Sequence, residues 1–379
     1  MHYIGKIQDT QMKAFVDNEF KKSYPQVDLF AVDWSEIDVV NDQIENPTVV
    51  IYYADPPPFE GLDVFFKLFS NHSDKTFHMF TMPADWTHLA NWPSNTHWYL
   101  YNFCPHSHDI DDFLGGYRTL ESITDKNFSS TKAGICLNRL PRTHRLVSLS
   151  YMLGINLDHH CTITAPLLRW YLNNNSVDIM DVVPWHFEDH ENFKLTMLKG
   201  WERAKHEDGL LNVIVDAYPP YDELAPNQTL FTNPENFINN LTPLYQNSFV
   251  EFVTESVYDY DLAFITEKLL NSQLGSNFPI WIGGRGTVTW LREHGCDVFD
   301  DVVDHSYDSV QDPVVRMQMC IDKNSKLLKD IKHTQDLWRR HQHRFQQNVN
   351  WYKKTYDDLL SKGRKTLESL LLSANKRQF

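Results

Sequence analysis

Cysteine is scarce in this chain of 379 residues: five thiols, at Cys104, Cys136, Cys161, Cys296 and Cys320, odd in number and far apart. No Cys-x-x-Cys pair occurs, which argues against both a disulfide framework and the usual zinc spacings. His159, His160 and Cys161 are contiguous, a poor geometry for three ligands on one ion. The thiols are expected to be reduced and mostly buried. Long apolar runs are missing as well. No stretch approaches the roughly 18 consecutive apolar residues of a membrane span. No apolar segment follows Met1-His2-Tyr3-Ile4-Gly5-Lys6 either, so neither membrane insertion nor export is expected, and the reading is cytoplasmic. Internal repeats and low-complexity tracts are also absent, which excludes solenoid and fibrous architectures.

What is present is the composition of a folded protein, 42% apolar and 22% charged, so wholesale disorder is excluded. At roughly 150 residues per domain the length accommodates two or three domains. Aromatics are abundant at 13%, with 11 Trp, enough for a core and for stacking surfaces. The formal net charge of −15 argues against the whole molecule acting as a nonspecific nucleic-acid binder. Charge is segregated, however. Between Lys323 and Arg377 there are 14 Lys/Arg against 5 Asp/Glu, a net of +9. A solvated helical face accounts for this, and so does a polyanionic partner.

Apolar runs alternate with segments of helical spacing. Val27–Val32, Pro47–Ala54, Thr76–Met82 and His97–Phe103 read as strands, with Leu62–Asn71 helical between the second and third. A second such unit opens near Lys132, with strands expected at Gly134–Leu137, Leu211–Ala217, Phe249–Val253 and Phe278–Ile282. Helices are expected at Leu146–Leu153, Pro234–Leu241 and Ile265–Leu274, and one or two long ones from about Val314. This pattern predicts two α/β units with parallel sheets and a helical C-terminus. Open sheets of that kind bind ligands beyond the carboxyl ends of their strands.

The richest stretch runs from Phe249 to Gly284. A strand delivers Glu255 and Ser256 at its end, and Thr266 can cap a helix whose first turn carries Glu267 and Lys268. The next strand ends in Gly283-Gly284-Arg285-Gly286, after which Thr287 can open another helix. Glycines at a strand-to-helix turn let backbone N–H groups approach a phosphate; a lysine adds a point charge, and a carboxylate can take ribose hydroxyls. Each feature has an ordinary structural reading: a turn for the glycines, first-turn helix residues for Glu267 and Lys268. The Asp259-Tyr260-Asp261 sequence matches a manganese-binding Asp-x-Asp but lies in a connecting loop, and is read as coincidence.

Thr254-Glu255-Ser256, Phe264-Ile265-Thr266-Glu267-Lys268 and Phe278-Pro279-Ile280…Gly283-Gly284, in this order, resemble the donor-binding signature of the α1,3-fucosyltransferase family. The chain is more similar still to fucosyltransferase-like glycosyltransferases encoded by tailed phages and large DNA viruses. Leu291-Arg292-Glu293-His294-Gly295-Cys296-Asp297-Val298-Phe299-Asp300-Asp301, and then Asp304-His305-Ser306-Tyr307-Asp308, follow the viral pattern. Asn138-Arg139 and Pro141-Arg142-Thr143-His144-Arg145 resemble the basic segment that opens the nucleotide-binding half. The resemblance covers roughly residues 131–330. Glu255-Ser256 stands where the cellular enzymes have Glu-Asn-Ser, so sugar and base stay open.

The resemblance implies a GT-B-like architecture, two Rossmann-like domains facing a cleft, with a helical C-terminal segment. The corresponding divisions are residues 1–130, 131–335 and 336–379. It implies that Arg139, Arg142 or Arg145 holds the diphosphate together with Lys268 and the Gly283-Gly284 turn. Charge neutralisation there would replace a divalent metal, so no cofactor is expected. Glu267 would take ribose hydroxyls, and Glu255 would face the sugar.

The acceptor side is read from position alone. An inverting transfer needs a general base for the acceptor hydroxyl. Asp55, after the strongest N-terminal strand, is the first choice, followed by Glu60 and then by His106 and Asp109. Asp before Pro is also ordinary turn chemistry. The favoured acceptor is a 5-hydroxymethylpyrimidine in double-stranded phage DNA, with Arg339 and Arg340 of the basic tail on phosphates and Trp86, Trp92 or Trp98 on an extruded base. A carbohydrate such as a lipopolysaccharide or virion glycan, stacking on the same tryptophans, is the alternative. A nucleotide-sugar-binding protein without turnover is a third reading.

Overall fold

The computed structural model describes residues 27–32, 40–53, 62–81, 92–100, 121–138, 142–165, 178–183, 185–206, 241–259, 261 and 263–376. These form an α/β protein with two four-stranded parallel sheets. They divide into two compact units, one within Met1–Asp111, Tyr260–Glu267 and Lys353–Phe379, the other within Asp112–Asp259 and Lys268–Tyr352. Among the described residues no helix is long and apolar enough to cross a membrane.

In the first unit β1 (Val27–Val32), β2 (Thr48–Tyr53), β3 (Thr76–Thr81) and β4 (Thr96–Leu100) lie side by side in chain order, every pair parallel. Helix α1 (Leu62–Asn71) connects β2 to β3. Phe65, Leu68 and Phe69 recur at i, i+3 and i+4, and this stripe is buried with Phe30, Val49, Ile51, Phe77 and Met79 of the strands. Asp28, buried on β1, accepts from the backbone N–H groups of Glu45 and Asn46 and from Asn46 Nδ2, all at 2.6–2.7 Å. That carboxylate pins the turn leading into β2.

The second unit contains β5 (Gly134–Leu137), α2 (Thr143–Gly154), β6 (Cys161–Thr164), α3 (Ile179–Val182), α4 (Glu191–His206), α5 (Thr242–Gln246), β7 (Val250–Thr254), α6 (Glu267–Leu274), whose first residue clusters with the first unit, and β8 (Phe278–Ile282). Helices α7 (Thr287–Glu293), α8 (Pro313–Lys329) and α9 (Ile331–Lys376) follow; residues 331–352 of α9 belong to this unit and the remainder to the first. The sheet order is β6-β5-β7-β8, all parallel. Every residue of β7 and β8 is buried, as expected of strands covered on both faces. Pro279 cannot donate to a ladder and sits on β8, which has one neighbour among the described strands. Glu251 is the charged residue on β7. Burial pushes its carboxyl pKa up to about 8, and it accepts the Tyr245 hydroxyl at 3.1 Å.

Candidate functional site

Topology singles out one place in the second sheet. From β5 the chain passes through α2 to β6 on one side, and from β7 through α6 to β8 on the other. The winding therefore reverses between β5 and β7, and ligands of open α/β sheets bind outside the strand ends at such a switch point. The first sheet runs in plain chain order among its described strands and contains no reversal.

The side chains at the switch point come from two segments. Asn138 follows β5, is buried, and accepts a hydrogen bond from Thr254 Oγ1 at 2.8 Å, which ties the two strand ends together. The N-cap and first turn of α2 then supply donors to three consecutive carbonyls at and just beyond the end of β7. Arg145 Nη2 donates to Thr254 O at 3.1 Å and Glu255 O at 3.2 Å, His144 Nε2 reaches Glu255 O at 2.8 Å, and Arg142 Nη1 donates to Ser256 O at 2.6 Å. A carbonyl can only accept, so the proton of His144 is on Nε2. Burial, reinforced by the neighbouring Arg145, holds His144 well below the usual histidine pKa, so the ring is neutral. The ring also stacks on Tyr258, centroids 5.7 Å apart.

Glu255, held in this way by its backbone, is fully buried, and its Oε2 lies 3.8 Å from Lys268 Nζ. Lys268 is 17% exposed, so the ammonium sits at the boundary between the buried carboxylate and solvent. Gly283 passes over Glu255 closely: a Cβ there would lie 3.3 Å from Thr287 Oγ1 and 3.5 Å from the Cβ and Cγ of Glu255. The structure thus gathers Arg142, Arg145, Glu255, Lys268 and the Gly283-Gly284 turn around the ends of β5, β7 and β8. Arg142 is exposed. Arg145 is buried and used on backbone carbonyls.

One sequence expectation is met differently. The helix after Gly283-Gly284-Arg285-Gly286 was expected to offer free N–H groups to a phosphate. Asp308 fills that end instead: its Oδ1 accepts from Val288 N at 3.0 Å, and its Oδ2 from Thr289 N and Thr289 Oγ1 at 2.8 Å. The N-terminus of α2, at the switch point, has no side-chain cap and no acidic residue in its first turn.

The stretch between Leu291 and Asp308 forms the support behind Asp308. Arg292 Nε and Nη2 grip Asp300 with two 2.8 Å bonds, and His305 Nδ1 lies 3.0 Å from the same carboxylate. These partners, the Arg292 hydrogen bond first, lower the Asp300 carboxyl to about 2. Arg344 clamps Asp297 at 2.5 and 2.6 Å and Asp301 at 2.8 and 2.9 Å.

Other expected residues lie elsewhere. Trp92 in the first unit stacks on Phe66, centroids 5.0 Å apart, and packs at 4.3 Å on Trp98. Arg339 pairs with Asp336 at 2.6 Å and covers the Phe128 ring at 4.1 Å, while Arg340 is exposed. Asp259 accepts from Trp185 Nε1 at 2.7 Å. Glu267 is placed only as the first residue of α6. Asp55, Glu60, Trp86, His106, Asp109 and Arg139 lie outside the described residues. His144 was not singled out from the sequence. Its signal was its place within the basic segment after β5, two residues from Arg142.

No family model matches this chain, and neither does any curated protein or solved structure.

Proposed function

We propose that the second unit binds a nucleoside-diphosphate sugar over the ends of β5 and β7, and that the protein is an inverting, metal-independent glycosyltransferase of GT-B type. The observation that carries this reading is the coincidence of the switch point with Arg142, Lys268 and the N-terminus of α2, whose first turn holds no acidic residue. A diphosphate placed there meets two cations and the positive end of α2. In the transfer, a general base, for which Asp55 after β2 is the sequence's first choice, takes the proton of the acceptor hydroxyl. The freed oxygen attacks the anomeric carbon, the glycosidic bond to phosphate breaks, and Arg142 and Lys268 stabilise the charge on the departing nucleoside diphosphate. The resemblance of Thr254-Glu255-Ser256 and Glu267-Lys268 to fucosyltransferase-like enzymes supports the same assignment.

The test is a thermal-shift screen of UDP-, GDP-, CMP- and dTDP-sugars. A ligand at about 100 times its Kd adds about 2.7 kcal/mol, so one nucleotide class should raise the melting temperature clearly while the others leave it unchanged. No shift with any of them would remove the donor site. A shift without donor hydrolysis or transfer to any acceptor would favour the binding-protein reading.

For the acceptor we propose a 5-hydroxymethylpyrimidine in duplex DNA. Lys326, Lys329, Lys332, Arg339 and Arg340 are exposed on α8 and α9, a charge arrangement suited to phosphates. Binding of hydroxymethylated duplex should then weaken with salt, with a log–log slope of about −0.9 per phosphate contacted. Replacing Lys332, Arg339 and Arg340 with Gln should flatten that slope by up to about three units. Arg344 is left out of this set because its guanidinium is engaged by Asp297 and Asp301. Binding that ignores both salt and these substitutions would transfer the assignment to a carbohydrate acceptor.

A further inference from the structure

Lys126 lies far from the switch point in the sheet, at the opposite, amino-terminal ends of β7 and β8. Its side chain is buried. Four oxygens surround its ammonium nitrogen: Tyr245 O at 2.7 Å, Ser248 O at 2.7 Å, Gly275 O at 2.6 Å and Asn277 Oδ1 at 2.6 Å. The rings of Phe249 and Trp338 stand 5.7 and 5.9 Å away. Burial pulls the amine well below the usual lysine pKa. The neighbours oppose that pull, because all four are acceptors. A neutral amine would turn a lone pair toward one of them, so the ammonium is the form that fits.

The cage does not depend on the lysine for its shape. Tyr245 lies in the last turn of α5, and Gly275 directly follows α6, so two helices end at this point with carbonyls directed inward. Helix carboxyl ends carry partial negative charge and favour cations. Asn277 is oriented independently: its Nδ2 donates to Ser248 Oγ at 2.8 Å, which leaves Oδ1 for the cage. Ser248 Oγ in turn donates to Leu244 O at 2.9 Å. A ring of pre-oriented, uncharged oxygens with no carboxylate among the four is the chemistry of a monovalent-cation site.

We infer that this cage is a monovalent-cation site filled by the chain's own tethered ammonium, and that removing the Lys126 side chain converts it into a binding site for free ammonium or potassium ions. Glu251, also buried, is the acid whose charge bears on Lys126. It is not among the four ligands.

The experiment compares the melting temperature of the wild-type chain with those of Lys126→Ala and Lys126→Met in chloride salts of ammonium, potassium, lithium and tetramethylammonium at equal ionic strength. Wild type should melt at one temperature in all four. Lys126→Ala should melt far lower in lithium and tetramethylammonium, and be raised by about 2–5 °C in ammonium or potassium at tens of Kd. Lys126→Met fills the channel with an apolar stem and should show no such selectivity. Equal melting of Lys126→Ala in all four salts would overturn the inference, as would an equal rise in Lys126→Met. If Lys126→Ala does not fold as expressed, refolding from urea in each salt decides. Recovery confined to ammonium and potassium supports the site, and equal failure in all four removes it.

Discussion

Lys268→Ala is expected to lower kcat for the proposed sugar transfer by about 10²–10³, the loss seen when one donor to developing transition-state charge is removed, equivalent to about 2.7–4 kcal/mol. The geometry is specific about why. Lys268 is held 3.8 Å from a carboxylate of zero exposure, at the mouth of the switch point, and is itself 17% exposed. A departing diphosphate there gains a cation already placed at the strand ends. The same substitution withdraws one counter-charge from buried Glu255, so part of its effect will be on stability. The two are separable: kcat is measured per mole of folded protein, on samples whose melting temperature is recorded, using the nucleotide sugar that the thermal screen selects. Release of nucleoside diphosphate at near wild-type rate by a folded Lys268→Ala protein would remove Lys268 from the mechanism.

Much of the frame was readable from the sequence, for identifiable reasons. Val27–Val32, Gly134–Leu137 and Phe278–Ile282 fold as strands over the ranges that their apolar runs suggested, and Leu62–Asn71 is the helix its spacing indicated. Others shifted by a residue or two: the strand read at Phe249–Val253 is Val250–Thr254, and the helix read from Leu146 starts at Thr143. The second shift matters. It moves His144 and Arg145 from a loop into the first helical turn, where they meet the β7 carbonyls. β6 was missed because Cys161–Thr164 is four residues long and only half apolar, following two histidines. Its place is fixed by pairing with β5 across the sheet, which no local pattern reports. Helix α4 was missed although Phe193, Met197, Trp201 and Ala204 recur every three or four residues and are all buried. That signal was present.

The site was legible in part for a similar reason. Residue types mark charge and turn propensity, so Glu255, Lys268 and the Gly283-Gly284 turn stood out. They do not mark which groups are consumed internally. Asp308 caps a helix that starts 21 residues earlier, Arg145 is spent on two carbonyls, and Arg344 on two carboxylates. Each of these pairings spans a loop or a change of element, and only the folded chain decides it.

The second large effect expected is at Gly200, on α4, and its sign is the informative part. Replacing a helical glycine by alanine ordinarily stabilises a protein by about 0.5–1 kcal/mol, because alanine loses less backbone freedom on folding. Here a Cβ on Gly200 would lie 1.7 Å from Ser150 O and 2.6 Å from Gly154 N, and one on Gly154 would lie 2.0 Å from Thr196 O. All three obstacles are backbone atoms, so no rotamer change relieves them. α2 and α4 would have to move apart along a seam that buries Met197, Trp201 and Ala204 on one side and Val147, Tyr151 and Leu153 on the other. Overpacking of this kind costs about 3 kcal/mol at the upper end of its usual range. For a unit of this size that is a fall in melting temperature of the order of 10 °C. The neighbouring Lys199 is exposed, and Lys199→Ala should stay within about 0.5 kcal/mol of wild type. The displacement also has a functional direction. α2 carries Arg142, His144 and Arg145 into the β7 carbonyls, so separating it from α4 should loosen the site and weaken the nucleotide-induced thermal shift beyond what lost stability explains. A Gly200→Ala protein that melts higher than wild type would show that the two helices do not approach this closely, and would remove the packed helix pair as the support of the switch-point site.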